Sequence, residues 1–146
     1  MSILFSSDFH GNSKYELKYF TKETLVKYYR YEKYDSIRYH IILGDSDFLW
    51  PGSYHTDLQN YKVLARRHFP ILCIQDYHDP FLGMTIFHEV DIGIGETVYQ
   101  IQSKPFVAYL KRGKANTIDG FNMLVLGGAS SIAKERRVPN IMNDGI

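Results

Sequence analysis

Short apolar runs alternate with longer amphipathic stretches in the first half of the chain. The apolar runs predict strands at residues 2–7, 39–43 and 71–74. Between them, apolar residues recur at spacings of three and four, which is typical of helices. This order predicts a βαβαβ unit, half of a parallel sheet, with both helices on the same face because such crossovers are right-handed.

Capping signals and a proline set the expected limits of the two helices. Ser13 and Glu16 have the S-x-x-E spacing of a capping box, so the first helix is expected from there to about Lys33. Thr56 or Asp57 can cap the second helix, and the proline at position 70 ends it.

The hydrophobic pattern of the sequence changes after residue 80, where glycines separate short apolar stretches. These stretches predict strands at about residues 97–102, 106–111 and 121–126. A loop with Asn116, Asp119 and Gly120 predicts that the last two form a hairpin. The expected fold class is therefore α/β, a parallel βαβαβ sheet with helices followed by short antiparallel strands, in a single domain spanning residues 1–146.

Composition narrows the class of protein further. The formal net charge is +1, from 17 basic and 16 acidic residues, which argues against a general nucleic-acid binder. The single cysteine, Cys73, cannot form an intramolecular disulfide and fits a reducing compartment, although a cysteine-poor exported protein stays open. No apolar stretch approaches membrane-spanning length, and no signal-peptide pattern begins the chain. We therefore expect a cytoplasmic protein without a membrane partner.

Each of the first three predicted strands leads into acids or histidines. Asp8 and His10 follow the first, Asp45 follows the second after Gly44, and His78 follows the third. Ligands bind at this edge of open α/β sheets. A carboxylate and an imidazole two residues apart on extended chain point the same way and suit Mn, Fe or Zn. Each motif alone also has an ordinary explanation, since aspartates cap turns and histidines pack in cores.

Together these motifs resemble the calcineurin-like metallophosphoesterase family, whose pattern is D-x-H, G-D, G-N-H-D/E and two later histidine motifs. The corresponding residues here are 8–11 (D-F-H-G), 44–45 (G-D) and 76–79 (D-Y-H-D). Residues 121–129 also look like the strand and glycine turn of small bacterial and phage members. The resemblance covers roughly residues 2–139.

The resemblance implies roles for four side chains. Asp8 and His10 would bind a first metal ion, and Asp45 would bridge to a second. His78 would lie near the leaving group as an acid or a phosphate contact. Enzymes of this family use two metals to polarise a phosphoester and to generate the attacking hydroxide.

The chain departs from the family pattern in its third motif and at its C-terminal end. Tyr77 stands where the family has a metal-binding asparagine, and a neutral phenol is a poor ligand. Asp76 replaces the glycine before it, and no histidine follows His88, so the later histidine motifs are missing. We therefore expect a fold that is incomplete relative to the family sandwich and a site for at most one divalent ion, Mn, Fe or Zn.

Three functions stay open at this point. The chain is a metallophosphoesterase-like domain with impaired or lost hydrolysis of a phosphoester, a non-enzymatic binding or inhibitor protein of phage or mobile-element type, or a fragment of a larger active phosphoesterase. The missing strands predict an exposed sheet edge or apolar face that a protein partner or a second copy covers.

Several other features have ordinary interpretations. Four histidines without ligand-like spacing are interpreted as structural. The basic clusters at residues 66–68 and 111–114 are solvated faces or contacts to an anionic partner. The glycine pair at 127–128 is expected to be a tight turn beneath the site. The four histidines are His40, His55, His68 and His88.

Overall fold

The computed structural model describes residues 2–7, 17–30, 33–44, 46, 62–64, 66–75, 87–101, 103–104 and 106–127. Within these ranges the chain forms one mixed six-stranded sheet, a two-stranded hairpin and few helices, an α/β architecture. The strands are β1 (Ser2–Ser6), β2 (Ile37–Ile42), β3 (Ile71–Ile74), β4 (His88–Asp91), β5 (Thr97–Gln100), β6 (Val107–Leu110), β7 (Ala115–Ile118) and β8 (Phe121–Leu124). The helix α1 is Lys22–Lys27, and single 3-10 turns lie at Leu17–Phe20 and Tyr34–Ser36.

The sheet has the strand order β1-β2-β3-β6-β5-β4. The first four strands in this order are mutually parallel, and β5 and β4 continue the sheet with antiparallel pairings. The parallel arrangement of β1, β2 and β3 that the sequence predicts is confirmed. The hairpin β7–β8 is a separate sheet.

Hydrophobic side chains fill both faces of the central strands. On one face Ile42, Cys73 and Tyr109 belong to a buried cluster, against which Phe20 and Val63 pack from the two helical segments. On the other face a second cluster combines side chains of β2, β3 and β6 with those of the loop before β5 and of the hairpin. Burial on both faces explains why β3 and β6 consist almost entirely of apolar residues.

The expectation of one continuous helix reaching Lys33 is wrong in its described part. The backbone of Thr21 is extended, with φ −77° and ψ 157°, and its side chain accepts a hydrogen bond from Thr24 N. Threonine is a good N-cap, so a new helix starts there and separates α1 from the 3-10 turn before it. Arg30 has a positive φ of 54°, so the helical path has ended well before residue 33. The capping-box pair of residues 13 and 16 lies outside the described residues.

Only the end of the second expected helix falls within the described residues. Residues 62–64 are helical, and the N–H of Arg67 donates to the carbonyl of Leu64 at 3.0 Å. The chain then leaves the helical path before Pro70, as the sequence predicts. No helix in the described part of the chain is long and apolar enough to cross a membrane.

The hairpin expected between residues 106–111 and 121–126 is also wrong. β6 enters the main sheet parallel to β3, and β8 pairs with β7, a strand placed where the sequence indicated a loop. Asp119 and Gly120 both have positive φ, 51° and 83°, as a two-residue type I′ turn requires. That tight turn sets residues 115–118 opposite residues 121–124, which leaves β6 free for the sheet centre.

Candidate functional site

The carboxyl ends of the parallel strands form one edge of the sheet. Ser6 is paired with Ile42, Ile42 with Cys73, and Cys73 with Tyr109, so these four residues form a row across the strands. The N–H of Leu43 donates to the carbonyl of Ser6 at 2.7 Å, which extends the β1–β2 pairing past the end of β2. The segments that follow the row therefore leave the sheet at a common edge, where α/β proteins bind ligands.

The four predicted site residues, Asp8, His10, Asp45 and His78, lie outside the described residues. Their distances along the chain from the row are short: Asp8 follows Ser6 by two residues and Asp45 follows Ile42 by three. The structure thus describes the strand ends that lead into the site, and the roles of the four side chains stay predictions.

Two described residues flank Asp45 in the chain. Gly44 has φ 114°, a backbone conformation that favours glycine over residues with a Cβ. Ser46 is fully buried, and its Oγ lies 3.4 Å from the hydroxyl of Tyr109. The glycine of the G-D motif is therefore required by the backbone, and the residue after the motif is anchored against β6.

A buried histidine links β1 to β2 just before the edge. His40 is fully buried, and its Nε2 lies 2.6 Å from Oγ of Ser6. The ring packs against Phe20, with 5.0 Å between ring centroids. Burial, and secondarily the positive charge of Arg67, lowers the pKa of His40 from 6.5 to about 3. His40 is therefore neutral at ordinary pH, in agreement with the structural role expected for it.

Arg112 lies at the same edge, just past the end of β6. A Cβ placed on Gly127 would overlap Cδ of Arg112, and it would come within 2.7 Å of Cγ of that arginine. The same Cβ would lie 2.8 Å from the carbonyl oxygen of Gln75, the residue before Asp76. Gly127 therefore makes close contact with both the arginine side chain and the end of β3. The tight turn expected at residues 127–128 stays a prediction, because residue 128 lies outside the described residues.

The basic cluster at 111–114 divides into different environments. Nζ of Lys111 lies 3.0 Å from Oε2 of Glu89 and 3.6 Å from Oε1 of Glu96, so two carboxylates neutralise it. The hydrogen bond to Glu89 raises the pKa of Lys111, and the pKa of Glu89 is lowered in return. Arg112 instead lies against Gly127. No charge pattern in the sequence distinguishes Arg112 from the other cations of this cluster. The difference becomes visible only in the fold, which brings position 127 beside position 112.

The expected donor set fits a divalent metal in its chemistry. Two carboxylates and one imidazole from Asp8, His10 and Asp45 suit Mn, Fe or Zn. Among the residues that the structure describes, no group of three or more His, Cys, Asp or Glu side chains could hold a metal ion. The three expected metal ligands all lie outside the described residues.

An apolar groove runs along β1, the edge strand of the sheet. Its volume is about 740 Å³, and it is bounded by β1, by the helical layer and by the hairpin. The large side chains lining it include Phe5, Phe20, Leu25, Tyr29, Phe121 and Met123. The groove follows the length of β1 from residue 2 to residue 5 and does not include the row at its carboxyl end. The partner or second copy expected to cover a sheet edge stays a prediction.

Comparison with known proteins gives no match: no protein-family model, no curated protein and no solved structure is significantly similar to this chain.

Proposed function

We propose that this chain is a metallophosphoesterase-like domain that binds one divalent ion and hydrolyses phosphoesters weakly or not at all. The observation that supports it most is the row formed by Ser6, Ile42 and Cys73 across three parallel strands. Each of these strands leads directly into one of the three family-like motifs. The positive φ of Gly44 adds support, because this backbone conformation explains why the second motif has a glycine at that position.

The proposal assigns a role to each site residue. Asp8, His10 and Asp45 hold the ion, and His78 donates a proton to the leaving group or contacts the phosphate. A divalent ion at such a site supplies Lewis-acid polarisation and lowers the pKa of bound water. Tyr77 in place of an amide ligand weakens the second half of a two-metal centre, which is the reason for low activity.

Restoring the third motif tests this proposal. We expect the wild type to hydrolyse a generic phosphodiester with Mn²⁺ near the background rate, and the double variant Asp76→Gly, Tyr77→Asn to bind metal better and turn over faster. Asp45→Asn in that background should abolish the gain, whereas Asp91→Asn, which changes an exposed carboxylate on β4, should leave it intact. A restored variant that holds no more Mn²⁺ than the wild type and shows no turnover would contradict the proposal.

A non-enzymatic binding or inhibitor protein on the same fold is the second candidate. The apolar groove along β1 favours it, because exposed apolar patches of this kind mark interaction sites. The same double variant separates the two functions, since a protein without a metal site should gain no metal-dependent turnover when the third motif is restored. Strong hydrolysis by the wild type, lost in Asp45→Asn, would rule this second function out.

A further inference from the structure

We infer that Arg112 binds the phosphoryl group of the substrate at the carboxyl edge of the sheet. This inference rests on the proposed function and deepens it, because it names the residue that recognises the anionic part of the phosphoester. In the sequence, Arg112 is one of several basic residues in a short cluster. Its position and its bonding in the structure set it apart.

The register of the sheet places Arg112 beside the end of β3. Ile74 of β3 is paired with Leu110 of β6, so Arg112 follows β6 next to the last described residue after β3. Gly127 confirms the proximity independently, because a Cβ there would meet both the Arg112 side chain and the carbonyl of Gln75. Asp76 is the next residue along the chain. The arginine therefore stands at the carboxyl edge of the sheet, from which the chain continues into the proposed motifs.

The bonding of Arg112 differs from that of its neighbour Lys111. Its Nη1 is buried, yet it has no hydrogen-bond acceptor among the residues that the structure describes. Buried donors in folded proteins are nearly always paired. The adjacent Lys111 is paired with Glu89, whereas Arg112 has no ion pair with a carboxylate in the described part of the chain. A guanidinium offers a planar fork of donors that matches a phosphoryl group in a bidentate geometry.

Gly127 is the residue that gives the arginine this position. Any side chain at 127 would overlap the Arg112 stem on one side and crowd the backbone of Gln75 on the other. The arginine stem can move aside, but the strand backbone cannot. A substitution at 127 should therefore displace the guanidinium without changing the charge of the protein.

Binding of inorganic phosphate and of phenyl phosphate, measured calorimetrically on the full chain with and without Mn²⁺, tests the inference. We expect Arg112→Met to weaken binding of both by about tenfold or more, the usual effect of losing a charged hydrogen bond. Arg112→Lys should keep part of the affinity, and Gly127→Ala should weaken it. The matched control is Arg38→Met, which removes an exposed arginine near the amino end of β2 and should change nothing.

The outcomes separate this inference from the proposed function. Arg112-dependent phosphate binding in a chain that retains no Mn²⁺ would support the anion site and contradict the proposed metal site. Mn²⁺ binding through Asp45, with phosphate affinity equal in folded Arg112→Met and wild type, would overturn the inference and leave the proposed function standing. The inference would also be overturned if the wild type bound neither inorganic phosphate nor phenyl phosphate. The same holds if it bound inorganic phosphate but not the ester.

Discussion

Oγ of Ser6 lies 2.6 Å from Nε2 of His40, and this hydrogen bond joins the last residue of β1 to the middle of β2. Both strands lead into motifs of the proposed site, since Asp8 follows Ser6 by two residues and Asp45 follows His40 by five. The imidazole is buried among aromatic rings, and the serine at the other end of the bond is partly buried. The pair therefore stabilises the two strand ends from which the first two motifs start.

Removing the serine hydroxyl should destabilise the protein. Ser6→Ala leaves a buried imidazole nitrogen without this partner, and we expect the free energy of unfolding to fall by about 1–3 kcal/mol. Urea unfolding followed by circular dichroism measures the change. Thr117→Val is the control, because its hydroxyl bonds to Asn122 on the exposed hairpin, and it should cost less. Equal losses in the two variants would contradict a special role for the buried pair.

His40 should make the protein sensitive to mild acid. Its pKa of about 3 in the folded state lies below 6.5, so the unfolded chain takes up the proton first as the pH falls. Stability from this group is therefore intact above pH 6.5 and is lost progressively toward pH 3. At pH 5 the loss should be about 2 kcal/mol relative to pH 7.

Comparing the unfolding free energy at pH 7 and pH 5 for the wild type and His40→Gln isolates this effect. Glutamine does not titrate, so the variant should lose less stability over this range than the wild type. If the unfolding free energies of the two proteins changed identically with pH, the acid sensitivity would not come from His40.

The tight turn of the hairpin should tolerate some substitutions and not others. Gly120 has φ 83°, so Gly120→Ala should cost about 1 kcal/mol, because a Cβ is strained in this region although no atom lies within 4 Å of it. Asp119→Asn is the control, since asparagine adopts positive φ readily and should be nearly neutral. Thermal unfolding of both variants gives the comparison. A neutral Gly120→Ala would show that the turn has another conformation.

The parallel core could be predicted because its sequence signal is local and strong. The residues of β3 are apolar on both faces and end at a polar cluster, so the strand limits follow from the sequence directly. The helix break at Thr21 was harder to predict from the sequence, because a threonine within an amphipathic pattern can either continue a helix or cap a new one. Only the hydrogen bond from Thr24 N shows which of the two it does.

Pairings between distant segments could not be predicted. The residues of β6 are as apolar as those of a central strand. The sequence predicted that β6 pairs with the next apolar stretch along the chain, but it pairs with β3. β4 contains three polar residues out of four and gives no strand signal, since it lies at a sheet edge where one side is solvated. The role inferred for Arg112 could not be predicted either, because it depends on the close contact with Gly127, which only the fold creates.

Titration of the full chain with Mn²⁺ measures whether this protein binds a single divalent ion through Asp45. We expect one bound ion per chain, affinity reduced by at least about tenfold in Asp45→Asn, and unchanged affinity in the control Asp91→Asn. Retention of the wild-type affinity by Asp45→Asn, or no Mn²⁺ binding by the folded wild type, would contradict it.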